Sequence, residues 1–195
     1  SNNNYYTATL NKPLVIIGTG HNPPNQNIQT SDLDYLYLGS GCSGSKIIGM
    51  NLYYIETQSG NLSDLVFQRN KVRYQFRIQH AGMINWLVDG NVLDYGAVVF
   101  EGNNAEIDYL TVRNNIVNGY FQNMNYYGNG VNMVFSNNIF LHPSLAFNQV
   151  YYSYMYNNIF YRSSPSSCVV GCTFTNNLSF QCSNNAFPNG VNQTA

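Results

Sequence analysis

Short apolar runs, each closed by a polar turn pair, recur along this chain. The clearest markers are Met50-Asn51-Leu52, Asn70-Lys71-Val72, Gly90-Asn91-Val92, Asn114-Asn115-Ile116, Asn137-Asn138-Ile139, Asn157-Asn158-Ile159 and Asn176-Asn177-Leu178. Between the middle residues the steps are 20, 20, 24, 23, 20 and 19. A period of about 21 residues is the signature of a solenoid, in which each repeat buries its apolar side against its neighbours.

The local chemistry selects the kind of solenoid. The runs are rich in Val, Ile, Phe and Tyr and are broken by Asn and Gly, which favours strands over helix. Strands joined by tight bends, one coil per repeat, form a parallel β-helix whose rungs stack about 4.8 Å apart. Asn suits the bends, because it tolerates left-handed backbone and its amide can bond to the same amide one rung away. The expected fold is therefore all-β, a single-stranded right-handed parallel β-helix of eight or nine coils with an Asn ladder.

The marker alignment predicts a register. Five residues before the middle position stand Lys46, Val66, Trp86, Leu110, Met133, Ser153 and Cys172, and three before it Ile48, Gln68, Val88, Val112, Phe135, Met155 and Phe174. Both rows are mostly apolar and are expected to point inward. So is the row one residue after, Leu52, Val72, Val92, Ile116, Ile139, Ile159 and Leu178, which is apolar throughout. Strand alternation then puts Gly49, Arg69, Asp89, Arg113, Ser136, Tyr156 and Thr175 outside, with Arg69, Asp89 and Arg113 stacked in alternating charge.

One domain spans 1–195 in this reading. Residues 5–41 hold two less regular coils, seen in the echo of Ile16-Ile17-Gly18-Thr19-Gly20 by Tyr37-Leu38-Gly39-Ser40-Gly41 across a loop with Pro23-Pro24. Residues 42–182 hold the regular ladder, and 183–195 read as a tail or a link to a following module. Insertions at about 96–108 and 118–130 are expected to emerge as loops. Ser1 to Asn4 look like neither a natural start nor a cap, as in a piece of a longer protein.

Composition narrows the function classes. The 195 residues include 32 asparagines and 17 tyrosines, only 9% are charged, and the net charge is −1. Nucleic acid is a poor partner for such a chain. No apolar run has the length of a membrane-spanning helix, so no membrane insertion is expected, and no basic leader opens the sequence. Cys42, Cys168, Cys172 and Cys182 do not form paired C-x-x-C units, and His21, His80 and His142 are scattered, so no metal site is expected. In an exported protein Cys182 could bridge to Cys168 or Cys172 and clamp the last coil. Alternatively Cys172 is a small core residue.

Leu10-Asn11-Lys12-Pro13-Leu14-Val15-Ile16-Ile17-Gly18 and the repeated Asn-Asn-Ile-Phe at 137–140 and 157–160 resemble right-handed β-helix proteins of the pectate-lyase-like superfamily, more narrowly exported surface proteins of the Bacteroidetes type. The resemblance spans nearly the whole chain and implies right-handed coiling and an extracellular, cell-surface or periplasmic location. It does not imply an activity, because the architecture hosts lyases, hydrolases, epimerases, adhesins and phage fibres.

Lyases of that superfamily abstract a proton beside a uronate carboxylate with an Arg or Lys base, and calcium or basic residues neutralise the acid. The best match is Arg69, Lys71, Arg73 and Arg77, with His80 close behind and Asp89 and Asp94 one rung on. Basic groups facing acidic ones across a groove could do acid–base work on an acidic glycan. An ion pair between Arg69 and Asp89 on adjacent rungs is the simpler account. No cofactor is expected, and calcium enters only under the lyase alternative, where Glu101, Glu106 and Asp108 make a thin ligand set. A hydrolase pair from Asp89 with Asp94 or Asp108 is a weak signal. The Gly-rich stretch before Lys46 leads into strand, where a phosphate loop requires a helix.

Aromatic residues carry the competing reading. Tyr53, Phe140 and Phe160 share the second place after the middle residue, and Tyr54, Tyr74, Tyr161 and Phe180 the third. Such rows stabilise sheets, and where exposed they make platforms for sugar rings or proteins. The loop Tyr120-Phe121-Gln122-Asn123-Met124-Asn125-Tyr126-Tyr127 mixes amphipathic rings with adaptable amides, a recognition composition. Ice binding is disfavoured, since regular Thr rows are missing. Sequons occur at Asn61, Asn177 and Asn192, as many asparagines make inevitable, and Asn177 falls in the ladder.

The expectation is an exported structural or binding module that presents a rigid face to a glycan or protein partner, a neighbouring module of the same chain or a second copy. The binding residues are expected among Tyr120, Phe121, Tyr126, Tyr127, Arg69 and Arg73. The alternative is a polysaccharide lyase using Arg69, Lys71, Arg73, Arg77, Asp89 or Asp94.

Overall fold

The structure, a computed structural model, describes residues 6–20, 31–100, 106–119, 121–123, 129–141, 144–146, 150–162, 164–165, 170–180 and 182, except for the side chains of 96–100, 121–123, 144–146 and 164–165. Strands and bends account for it, with no helix among the described residues. Every strand pairing is parallel, and strands one coil apart lie side by side, which is a parallel β-solenoid.

Sheet 1 runs through Thr7–Leu10, Asp32–Leu38, Asn51–Thr57, Lys71–Ile78, Val92–Phe100, Ile116–Gly119, Ile139–Phe140, Ile159–Tyr161 and Leu178–Phe180. Sheet 2 runs from Val15–Ile17 through Lys46–Ile48, Val66–Gln68, Leu87–Asp89, Thr111–Arg113, Val134–Ser136 and Tyr154–Tyr156 to Thr173–Thr175. Sheet 3 holds Met83–Ile84, Glu106–Asp108, Asn129–Val131 and Val150–Tyr151. The expected insertions are partly strand. Val92–Phe100 is one long strand of sheet 1, and Phe121–Asn123 pairs with it.

The Asn ladder lies at the bend from sheet 2 into sheet 1. Its members are Asn70, Asn91, Asn115, Asn138, Asn158 and Asn177, all buried. Asn138 shows the pattern. Its Oδ1 accepts from the backbone N–H and the amide of Asn115, both at 3.0 Å, and its Nδ2 donates to the Val112 carbonyl at 2.9 Å. Each amide thus satisfies backbone groups that the bend removes from the strand ladders. The preceding residue is left-handed throughout, as Arg69, Asn114, Asn137, Asn157 and Asn176 or as Gly49 and Gly90.

This geometry corrects the register of the first two markers. Lys71 pairs with Val92, so Asn70, and not Lys71, is equivalent to Asn91, and Met50 takes that place one coil earlier. The inward residues there are Ser45, Ile47, Leu65 and Phe67, in place of Lys46, Ile48, Val66 and Gln68. From the third coil onward the two expected inward rows stand, with Trp86, Leu110 and Met133 in one and Val88, Val112 and Phe135 in the other. Trp86 donates its indole N–H to the Leu62 carbonyl at 2.9 Å.

A second correction concerns the row after the ladder. Val92, Ile116, Ile139, Ile159 and Leu178 do not fill the core. The ladder asparagine points in, so strand alternation sends the next residue out, and Ile116 is 41% and Ile159 37% exposed. The core takes the residue after that, as Leu93, Val117, Phe140 and Phe160, the two phenylalanines stacked with centroids 4.9 Å apart. The echo of 16–20 by 37–41 is no structural repeat either. Ile16 and Ile17 pair with Ile47 and Ile48 in sheet 2, whereas Leu38 pairs with Leu10 in sheet 1.

Cys172 is disulfide-bonded, but Cys182 is a free thiol whose Sγ lies 3.4 Å from the Phe180 carbonyl, so the expected Cys182 bridge is not formed. Cys172 leads into sheet 2 and Cys182 follows sheet 1, which sets them on different sides of the last coil. Cys168 lies outside the described residues.

Candidate functional site

The outer side of sheet 1 gathers most of the chemistry in its first coils. Tyr53, Tyr74 and Tyr95 stack on successive coils, with centroids 5.2 Å apart at 8° and 5.7 Å apart at 16°. Tyr35 meets Tyr53 edge-on at 6.1 Å. At 5.2 Å parallel rings cannot lie side by side in one plane, so they overlap face to face with an offset. The ring faces are therefore turned toward one another, and the edges toward solvent. The irregularity in pairing between Leu52 and Tyr54 brings Tyr53 opposite Tyr74, and the even register from Leu93 to Gly96 sets Tyr95 opposite Tyr74.

The stack has one open end. Tyr95 is 66% exposed and Tyr74 39%. In the next coil the residue paired with Tyr95 is Gly119, which carries no ring to continue the column. A Cβ there would run into the Tyr95 backbone, so no side chain fits that approach. Tyr95 itself adopts φ 57° within the strand Val92–Phe100.

Charged residues beside the stack are paired. Lys71 Nζ lies 3.3 Å from Asp94, Arg73 3.5 Å from Asp34, and Arg77 3.6 Å from Glu56. Arg73 also lies over the Tyr53 ring, 5.8 Å from its centroid, and Arg77 donates to the Tyr54 hydroxyl at 3.3 Å. His80 Nδ1 is 3.3 Å from Thr57 Oγ1 at the end of the same strand region.

The residues proposed from sequence for proton chemistry do not form one group. Lys71, Arg73, Arg77 and Asp94 share the outer side of sheet 1, but Arg69 sits at the bend between the sheets with φ 53°. Asp89 faces out from sheet 2, where Gln68, and not Arg69, precedes it in the column. Its carboxylate accepts from Arg113 at 3.0 Å, Asn114 at 2.9 Å and Gln68 at 3.2 Å. Burial alone would raise its pKa. The three donors and the Arg113 charge outweigh that and hold it below the usual carboxylate range, a poor proton donor. Asp108 lies on sheet 3 and accepts from Asn132 at 3.0 Å, so neither expected carboxylate pair shares a cleft.

No group of three or more His, Cys, Asp or Glu among the described residues could hold a metal ion. Burial pushes the Cys42 thiol up despite a backbone hydrogen bond, away from the thiolate a nucleophile needs. Of the expected recognition loop, Tyr120, Tyr126 and Tyr127 lie outside the described residues, as does the Phe121 side chain.

Sequence reasoning missed the tyrosine column, although its signal is plain. Tyr53, Tyr74 and Tyr95 follow at equal steps of 21 residues. The irregularity between Leu52 and Tyr54 separated Tyr53 from Tyr74, and the one-residue slip in the first two coils separated Tyr74 from Tyr95. That slip also set Phe140 and Phe160, which are core, beside Tyr53, which faces out.

Comparisons with protein-family models, curated proteins and solved structures returned no match.

Proposed function

We propose that the chain is an exported binding module, a stiff solenoid whose sheet 1 side holds a glycan. The observation that carries this reading is the Tyr53, Tyr74 and Tyr95 stack, solvent-facing and set on a frame fixed by a buried Asn ladder. Aromatic rings held without rotamer freedom bind sugars at low entropic cost, and the rigid frame removes the ordering penalty of a loop site. The extracellular, cell-surface or periplasmic location and the right-handed, pectate-lyase-like kinship belong to the same proposal. Binding of this kind requires no cofactor. Screening the chain on an immobilised glycan array, beside Tyr74→Ala and Tyr95→Ala, tests it. Retention of a glycan class by the parent chain and its weakening in both variants is expected, and retention unchanged in both variants together would sink the reading.

A protein neighbour is the second reading, favoured by the outward column of Ile116, Ile139, Ile159 and Leu178 in the later coils, of which Ile116 and Ile159 are exposed and the other two half-buried. A lyase draws less support. Lys71, Arg73 and Arg77 each face a carboxylate, and Arg69 stands on another side. Calcium would enter only with that activity.

A further inference from the structure

We infer that the glycan is neutral, and that one of its pyranose rings stacks on the open face of Tyr95. This rests on the binding-module reading above and names its ligand class and its central subsite.

The ligand class follows from charge balance. Among the described residues Lys71, Arg73 and Arg77 each face a carboxylate around the tyrosine column, that of Asp94, Asp34 and Glu56 respectively. A uronate carboxylate arriving there must share a cation with a protein carboxylate, leaving one negative charge uncompensated whichever pairing results. A neutral sugar meets no such conflict. Its hydroxyls can donate to the same carboxylates and accept from the same cations, since each sugar hydroxyl does both.

The subsite follows from ring geometry. Tyr53 and Tyr74 spend their faces on each other, and Tyr74 spends its second face on Tyr95. Of the three rings, only that of Tyr95 keeps a whole face uncovered by the described residues, which its greater exposure reflects. Gly119 in the next coil leaves that face open, and Asn118 and Asp94 are paired neighbours beside it, supplying an amide and a carboxylate to the sugar rim. A pyranose laid flat on Tyr95 continues the stack by one ring. Because the ring planes stand across the solenoid axis, an extended glycan lying in that plane crosses the coils at right angles to the axis.

The test titrates cellohexaose, mannohexaose, xylohexaose and hexagalacturonate into the parent chain and into Tyr95→Ala, Tyr95→Phe and Asp94→Asn, by calorimetry at low and high salt. Tyr95 is solvent-facing, and a far-UV spectrum with a melt confirms that each variant is folded. At least one neutral hexasaccharide is expected to bind, with little salt dependence. Tyr95→Ala should weaken it roughly three- to tenfold and Tyr95→Phe less than about twofold, the range that one lost aromatic contact gives. Asp94→Asn should improve hexagalacturonate binding, because it unbalances Lys71. Preferential, salt-sensitive binding of hexagalacturonate by the parent chain would overturn the neutral class while leaving a glycan-binding module standing. Neutral binding indifferent to Tyr95→Ala would overturn the subsite. Binding of none of the four would overturn the inference, with the module itself judged by the array.

Discussion

The outer side of sheet 1 has two halves built on one frame. From Asp32 to Tyr95 it carries stacked tyrosines and three ion pairs, whereas from Ile116 to Phe180 it carries Ile116, Ile139, Leu141, Ile159 and Phe180. Beneath both halves the same asparagine amide bonds to the same backbone groups, at Asn70 in the first half and Asn158 in the second. The interior of a solenoid is held by repetition, because each rung must fit the next. The exterior meets no such demand, so adjoining coils can display a polar aromatic surface and a greasy one. In the function proposed above, the first surface takes the glycan and the second is the one a protein neighbour would cover.

The largest effects should come from the shared frame. Asn70→Ala and Asn158→Ala each remove a buried amide and strand a backbone carbonyl, Ile47 in one and Phe135 in the other. Each is expected to cost roughly 2–4 kcal/mol in urea unfolding. Similar losses would show that the halves differ only outside, and a loss confined to one half would break the comparison. Next comes Tyr74→Ala, which deletes the middle ring and both its stacking contacts. About 1–2 kcal/mol should go with it, and a smaller loss would mark the stack as display without structural weight.

The coil where the halves meet offers a pH probe. Asp89 is held below its ordinary pKa by Arg113, Asn114 and Gln68 against the opposing effect of burial. A depressed carboxyl contributes stability that is complete above the unfolded pKa, near 4, and fades as pH falls through the folded value. Asp89→Asn should therefore destabilise the chain by about 1 kcal/mol at neutral pH. The gap between parent and variant should close on acidification below about pH 4. A gap that persists in acid would assign the effect to packing. The smallest change is expected for Ile159→Lys, within about 0.5 kcal/mol, because that side chain faces solvent. A drop of several kcal/mol, or a change in sedimentation, would show that the aliphatic half is covered in the isolated chain.

Much of the frame was legible in the sequence. Asn137-Asn138-Ile139 and its relatives announced the coil, the bend and the ladder together, because few residues tolerate left-handed backbone and an amide that satisfies two backbone groups is rarer still. The candidate site was less legible. Tyr53, Tyr74 and Tyr95 stood in the sequence at a constant interval, yet the bulge that brings Tyr53 opposite Tyr74 is set by contacts between coils. Lys71, Arg73 and Arg77 read as one basic cluster, and only the neighbouring coils supply Asp94, Asp34 and Glu56 to divide it into pairs.

By itself, then, the sequence determined the period, the strands, the ladder from Asn91 to Asn177 and the inward rows of those coils. The tertiary structure decided the register of Met50 and Asn70, the outward turn of Ile116 and Ile159, and the partners of each charge. The reason lies in what each signal measures. Periodicity records which residues recur, and hydrophobicity records which would gain from burial. Which side of a strand a residue takes depends on the bend before it, where one left-handed residue resets the alternation that every later position in the strand obeys.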